Sequence, residues 1–160
     1  MFHRRTAFVI LAVAALAGCA SGPRPVSIAD TIAATPSLST LNGLVVRAGL
    51  TDTLKANGPY TVFAPTNDAF KAVPAKTLDE LGKDPARLKA VLSYHVIPVK
   101  LLASDVKPGN AKTVQGASIG LGRAGTFVTV DSAIVQTADI SAANGVIHTV
   151  DQVLIPPVRR

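Results

Sequence analysis

Two stretches of this sequence set residues in patterns that do chemistry elsewhere. Gly116-Ala117-Ser118-Ile119-Gly120 matches G-x-S-x-G, and Asp131 or Asp139 and then His148 follow in the Ser–Asp–His order of a hydrolase. In that chemistry the serine hydroxyl attacks an acyl carbon, the imidazole takes its proton and the carboxylate orients the imidazole. The serine must stand on a sharp turn between a strand and a helix. Here a strand-like run surrounds Ser118, and Gly122 to Gly125 reads as the turn of a hairpin. The chain is also short for a hydrolase sheet. The second stretch, Gly120-Leu121-Gly122-Arg123-Ala124-Gly125, matches G-x-G-x-x-G. A dinucleotide site needs the third glycine to open a helix, so that amides at its N-terminus meet the pyrophosphate. Thr126 to Val130 (TFVTV) is not helical, and a β-hairpin explains the glycines more simply.

Metal chemistry has even less to work with. Beyond His3 the histidines are His95 and His148, far apart in sequence, and Glu80 is the sole glutamate. Both imidazoles are expected to be structural, with ring nitrogens bonded to backbone or to a carboxylate. No catalytic residue, metal, nucleotide or other cofactor is expected. A serine hydrolase built on Ser118, Asp139 and His148 is kept as a remote alternative.

The elements that would position these residues divide the chain in two. The first half reads helical. Ser27 caps a helix through Ala34, ended by Pro36. Leu38, Leu41, Leu44 and Val45 recur at helical spacing, and Gly49 suits a C-cap. Leu50 and Leu54 continue a short piece stopped by Asn57-Gly58-Pro59. Tyr60 to Ala64 (YTVFA) reads as a strand. Thr66 then takes an N-cap position with Asp68 in the first turn, where a carboxylate suits the positive helix end. Phe70 and Val73 are expected to face the core from that helix. Thr77 to Leu81 and Pro85 to Leu92 read as further helices, the latter capped by Asp84 with proline at its first position. Tyr94 to Val99 (YHVIPV) reads as extended. The second half reads as strands, at Ala117–Leu121, Thr126–Val130, Ala133–Thr137 and Val146–Val153. Helices first and strands later point to an α+β fold with a largely antiparallel sheet or sandwich.

The N-terminus indicates export. His3, Arg4 and Arg5 precede the apolar run Thr6 to Leu16 (TAFVILAVAAL), too short for the ~20 residues of a membrane span but suited to a signal peptide. Leu16-Ala17-Gly18-Cys19 resembles a bacterial lipobox, in which the cysteine is acylated and cleavage falls just before it. Cys19 is the only cysteine, so the mature domain would hold no disulfide. Residues 1–18 are read as the lipoprotein signal peptide, 19–26 as a lipidated tether, 27–156 as one domain and 157–160 as a basic tail. Ala20 in place of an aspartate after Cys19 leans toward the outer membrane. Without Arg4 and Arg5, 14 of the 16 basic residues face 10 acidic ones, and the tail arginines Arg24, Arg159 and Arg160 account for most of the excess. A nucleic-acid surface would need a basic stripe with stacking aromatics, and the mature chain has only Tyr60, Tyr94, Phe63, Phe70 and Phe127.

Three segments together resemble the fasciclin domain. Thr61-Val62-Phe63-Ala64-Pro65-Thr66-Asn67-Asp68-Ala69-Phe70 resembles its first motif. Tyr94-His95 stands where its tyrosine–histidine pair belongs. Asn144-Gly145-Val146-Ile147-His148-Thr149-Val150-Asp151-Gln152-Val153-Leu154-Ile155-Pro156 resembles its second motif. The resemblance spans about Ser27 to Pro156. It implies a β-sandwich or wedge of mainly antiparallel strands with helices packed against it, and an extracellular, adhesive role. It also implies that Thr66 and Asp68 pin the strand-to-helix turn, that His95 supports the first motif through hydrogen bonds, and that Asn144 and Gly145 form the turn into the last hairpin. Tyr94 and its apolar neighbours fall in a region linked to integrin binding in animal relatives.

The function expected is a non-catalytic adhesion or binding module, held by a lipid on the bacterial envelope. Its partner would be an extracellular protein, matrix or polysaccharide, with self-association as a further option and no nucleic acid. The alternative is a periplasmic structural or envelope-maintenance lipoprotein with no outside partner.

Overall fold

The computed structural model describes residues 26–157. The stretch read as a signal peptide, Cys19, nearly all of the expected tether and Val158–Arg160 lie outside the described residues.

Local chemistry starts and stops the helices. Helix α1 (Ile28–Ala34) begins where the Ser27 hydroxyl accepts the Asp30 amide, and a 3-10 turn at Pro36–Leu38 leads into α2 (Ser39–Arg47). Helix α2 ends in a Schellman motif. The Leu50 amide donates to the Val45 carbonyl and the Gly49 amide to Val46, with Gly49 at φ +66°. Helix α3 (Thr51–Lys55) follows, then strand β1 (Tyr60–Pro65) and helices α4 (Asn67–Lys71) and α5 (Ala75–Lys83). Helix α6 (Pro85–Tyr94) starts on Asp84, whose Oδ1 accepts the amides of Ala86 and Arg87.

The remaining strands are β2 (Val96–Ile97), β3 (Gly109–Lys112), β4 (Ser118–Ala124), β5 (Phe127–Val130), β6 (Ala133–Ala142) and β7 (Gly145–Val150). They form one seven-stranded sheet in the order β2-β1-β7-β6-β5-β4-β3. All neighbours are antiparallel except β1 and β7, which run parallel. The sheet curls almost into a barrel. Just beyond β3 the Val114 amide reaches the Val96 carbonyl of β2, 2.8 Å away. Its two halves face each other like the layers of a sandwich. Phe63, Ile97 and Val150 from one half pack with Ile119 and Val130 from the other. On the outer face of β1 and β7, Val62, Ala64 and Ile147 pack under Ile28, Ile32, Leu41, Leu54 and their helical neighbours. Strands β1 and β7 are thus covered on both sides, which is why TVFA and GVIHTV are almost continuously apolar.

The α+β class, the helix-then-strand order and the helix caps match the sequence reading. Four details differ. Tyr94 closes α6 instead of opening a strand, and only Val96–Ile97 pair. Helix α4 stops at Lys71, so Val73 lies beyond it and is half-buried. Strand β4 runs through Gly122 to Ala124, leaving Gly125-Thr126 as a two-residue loop with Gly125 at φ +62°. Strand β3 (GNAK) has no β-forming residue, and pairing with β4 creates it.

Gly145 sits directly beside Tyr60 in the parallel pair. A Cβ there would overlap the Tyr60 carbonyl and come within 2.9 Å of Ile28 Cδ1. Gly145→Ala is expected to destabilise the domain by more than ~3 kcal/mol in urea denaturation. Gly43→Ala, on an exposed turn of α2 with nothing within 4 Å, is expected to stabilise it by ~0.5–1 kcal/mol. Equal effects of the two substitutions would refute this reading of β1–β7 contact.

Candidate functional site

The residues marked by the sequence gather along β1 and β7 and at their ends. There they bind main chain. Asn144, in the β6–β7 turn, accepts the Ile28 amide at 2.9 Å and donates to the carbonyls of Leu54 and Ala56, each at 2.7 Å. One side chain therefore caps the start of α1 and the end of α3. Asn67 acts likewise on α2, whose preceding residue Leu38 supplies no side-chain cap. Its Oδ1 accepts the Thr40 amide at 3.0 Å and its Nδ2 donates to the Pro36 carbonyl at 3.0 Å. Both asparagines satisfy helix-end groups that have no partner within their own helix. Thr66 caps α4 by accepting the Ala69 amide, Phe70 is buried beneath that helix, and exposed Asp68 pairs with Lys71.

His95 and His148 are both about 1% exposed. A main-chain amide can only donate, so each ring's tautomer follows from its partners. His95 Nε2 accepts the Leu154 amide at 2.9 Å, and Nδ1–H donates to Val91 at 2.8 Å. The contact of His95 with the first motif runs through its carbonyl, which accepts the Phe63 amide. His148 is reversed. Nδ1 accepts the Asp139 amide at 3.1 Å and Nε2–H donates to Leu101 at 2.8 Å, while its ring stacks on Phe63. Burial lowers the His95 imidazole to about 4, against the pull of its bond to Val91. Burial also lowers His148, opposed by the Leu101 bond and the Asp139 charge.

Tyr94 donates its hydroxyl to Asp131 at 2.8 Å, and burial followed by that bond raises the phenol to about 12. Asp151 accepts the Ile134 amide at 2.7 Å. Three further residues, named in the sequence only within motifs, take roles that the sequence did not assign. Thr61 donates to Val99 and accepts from Leu101. Asp139, at φ +59°, accepts the Ala103 amide, and Asp131, at φ +51°, accepts the Gly120 amide. Aspartate tolerates left-handed backbone, but the Ser–Asp–His pattern that singled out both aspartates gave no sign of this role.

Ser118, Asp139 and His148 are not brought together as a triad. Ser118 opens β4, which β6 and β5 separate from β7 in the sheet, and both ring nitrogens of His148 are occupied by main chain. The G-x-G-x-x-G run lies in the β4–β5 hairpin, not at a helix start. Among the described residues no three His, Cys, Asp or Glu side chains converge as a metal set, and no helix is long and apolar enough to cross a membrane. An apolar cavity of about 20 Å³ lies between the helices and β1, far below the ~300 Å³ of a ligand pocket.

The fasciclin domain model matches residues 36–156, and the chain belongs to the fasciclin domain family. Protein sll1483 of Synechocystis is 42% identical over 136 residues, covering 82% of this chain and 74% of that protein. The cell surface glycolipoprotein MPB83 of Mycobacterium bovis is 36% identical over 149 residues, 90% of this chain and 65% of that one. The transforming growth factor-beta-induced protein ig-h3 of Sus scrofa is 34% identical over 122 residues, but this chain spans only 18% of its length. Among solved structures, the FAS1 domain pair of the insect cell adhesion molecule fasciclin I aligns with TM-score 0.61 at 20% identity, over 74% of this chain and 45% of that one.

Two predictions follow from the polar bonds. Asn144→Ala leaves three main-chain groups without partners and is expected to cost ~3 kcal/mol, against ~1–2 for Asn67→Ala, which is equally half-buried but bonds two main-chain groups, both by urea denaturation. A smaller cost at Asn144 than at Asn67 would contradict this ranking. The histidines make stability pH-dependent. The unfolded imidazole takes a proton near 6.5 while folded His95 resists to about 4, so stability is full above 6.5 and falls as pH drops between those values. The loss from His95 approaches ~3 kcal/mol, or ~10 °C in Tm, between pH 7.5 and 4. A flat melting profile over that range would refute the buried neutral ring.

Proposed function

We propose that this chain is a non-catalytic adhesion or binding module, exported and held on the bacterial envelope by acylation at Cys19. The observation that carries the reading is the fasciclin domain at 36–156 following an N-terminus patterned as a lipoprotein signal. Fasciclin domains occur in cell adhesion proteins, insect fasciclin I among them. The relative MPB83 is a cell surface glycolipoprotein, which supports surface display through lipid. The lipobox supports acylation at Cys19, and Ala20 after it favours the outer membrane as the site of anchoring. Thr66, Asn67, Asp68, His95, Asn144, Gly145, His148 and Asp151 are read as residues that maintain the domain. Recognition then falls to exposed side chains, and many copies on one membrane would add avidity to a modest single contact.

The test is retention of whole cells on a surface coated with residues 24–160, with an inert protein of equal charge as control. The organism's own cells and a host cell line are compared. Specific retention, competed by soluble domain, is expected. Retention of neither cell type by folded domain would overturn the adhesion reading in favour of a structural envelope lipoprotein.

A further inference from the structure

Strand direction fixes which turns share an end of the barrel. Strand β7 begins at Gly145 beside Tyr60, the start of β1, and β6 ends there at Ala142. Strand β2 runs against β1, so Val99 and Lys100 follow it out at the same end. Strand β5 runs against β6 and β4 against β5, which points the Gly125-Thr126 loop toward that end, although β5 pairs only with Ala133 and Ile134 at the start of β6. The chain arrives there as well, because the Val26 carbonyl accepts the Ala143 amide at 2.7 Å.

This end carries Phe127, which at 66% is the most exposed large apolar side chain among the described residues, with Val26 and Val99 at 49% each. Arg123 donates to the Ser104 carbonyl at 2.8 Å, tying the Phe127 hairpin to the segment after Val99. Among the described residues neither Arg123 nor Lys100 has a carboxylate at ion-pair distance. Asp105 lies in the same segment, and Asp139 nearby already accepts the Ala103 amide.

The length of chain outside the structure decides what this end meets. From Cys19 to Val26 is seven residue steps, at most ~25 Å when fully extended. A domain of this size is ~35 Å across. An acylated Cys19 therefore keeps the Val26 end within ~25 Å of the bilayer, less than the ~35 Å needed for the domain to turn end over end.

We propose that this end of the barrel rests on the lipid surface that holds the anchor. Phe127 inserts among the headgroups, Val26 and Val99 lie at the boundary, and Lys100 and Arg123 meet lipid phosphates. The opposite end, with the turns at 113–117, 131–132 and 151–156, then faces outward and presents Val114, Ile134 and Ile155 to partners. The proposal rests on acylation of Cys19.

The chain has no tryptophan, so single reporters read cleanly. Acylated protein beginning at Cys19 and carrying Phe127→Trp or Ile155→Trp is placed in phosphatidylethanolamine–phosphatidylglycerol vesicles with plain or brominated acyl chains, and binding is checked by flotation. Tryptophan at 127 is expected to shift to the blue and lose about half its emission to brominated lipid, while tryptophan at 155 stays unchanged. Protein that floats without quenching at 127, or with greater quenching at 155, overturns the docking and leaves the anchor intact. Protein that does not float overturns the anchor reading and the docking with it.

Discussion

The fold depends on one pairing, the parallel alignment of β1 with β7 at the centre of the sheet. Both strands are covered on both faces, by the barrel interior on one side and the helices on the other. Parallel neighbours cannot be joined by a tight turn. The chain between them must leave and return, and that excursion makes α4 to α6 and the strands β2 to β6. The pair also sets the tolerances. At Gly145 the two backbones approach so closely that no side chain fits, and the same approach brings Ile28 of α1 onto the sheet. Helices and meander are thus consequences of how β1 and β7 meet.

Short helices need help to persist against such a sheet. Those of this domain have five to ten residues, a length at which isolated helices are marginal in water. Packing supplies most of what they lack, and polar side chains from other elements supply the rest. Asn144 and Asn67 reach across the fold to bond the ends of α1, α2 and α3. His95 and His148 do the same for the segments around Leu154 and Leu101. Among the described residues no buried side-chain nitrogen or oxygen lacks a partner. That completeness matters because an unpaired polar group costs most where the dielectric is low.

What was legible in the sequence was local. Ser27, Thr66 and Asp84 announce helix starts and Gly49 a helix end, because a cap acts within four residues of itself. Tyr94 misled because it precedes β-branched residues, and its position is set by its long-range bond to Asp131. Strand β3 was invisible because its pairing with β4 overrides poor propensity. The histidines could be named as structural, but the partner of His95 lies 59 residues away and that of His148 lies 47 away. Ser118 shows the opposite error. Its G-x-S-x-G pattern survives on paper only while the surrounding strand is ignored.

The division of labour within the domain explains why its motifs specify the fold so well and say so little about its partner. The motif side chains are spent inward on helix ends, loop carbonyls and one another's strands. A histidine whose two ring nitrogens both bond main chain has no free polar edge to offer a ligand. Recognition must then lie in positions the fold leaves free, such as Val46 and Ile155, which are well exposed and make no demand on the core. A shared scaffold with uncommitted turns at both ends of a barrel lets one end meet a membrane and the other a partner, without altering a residue that holds β1 against β7.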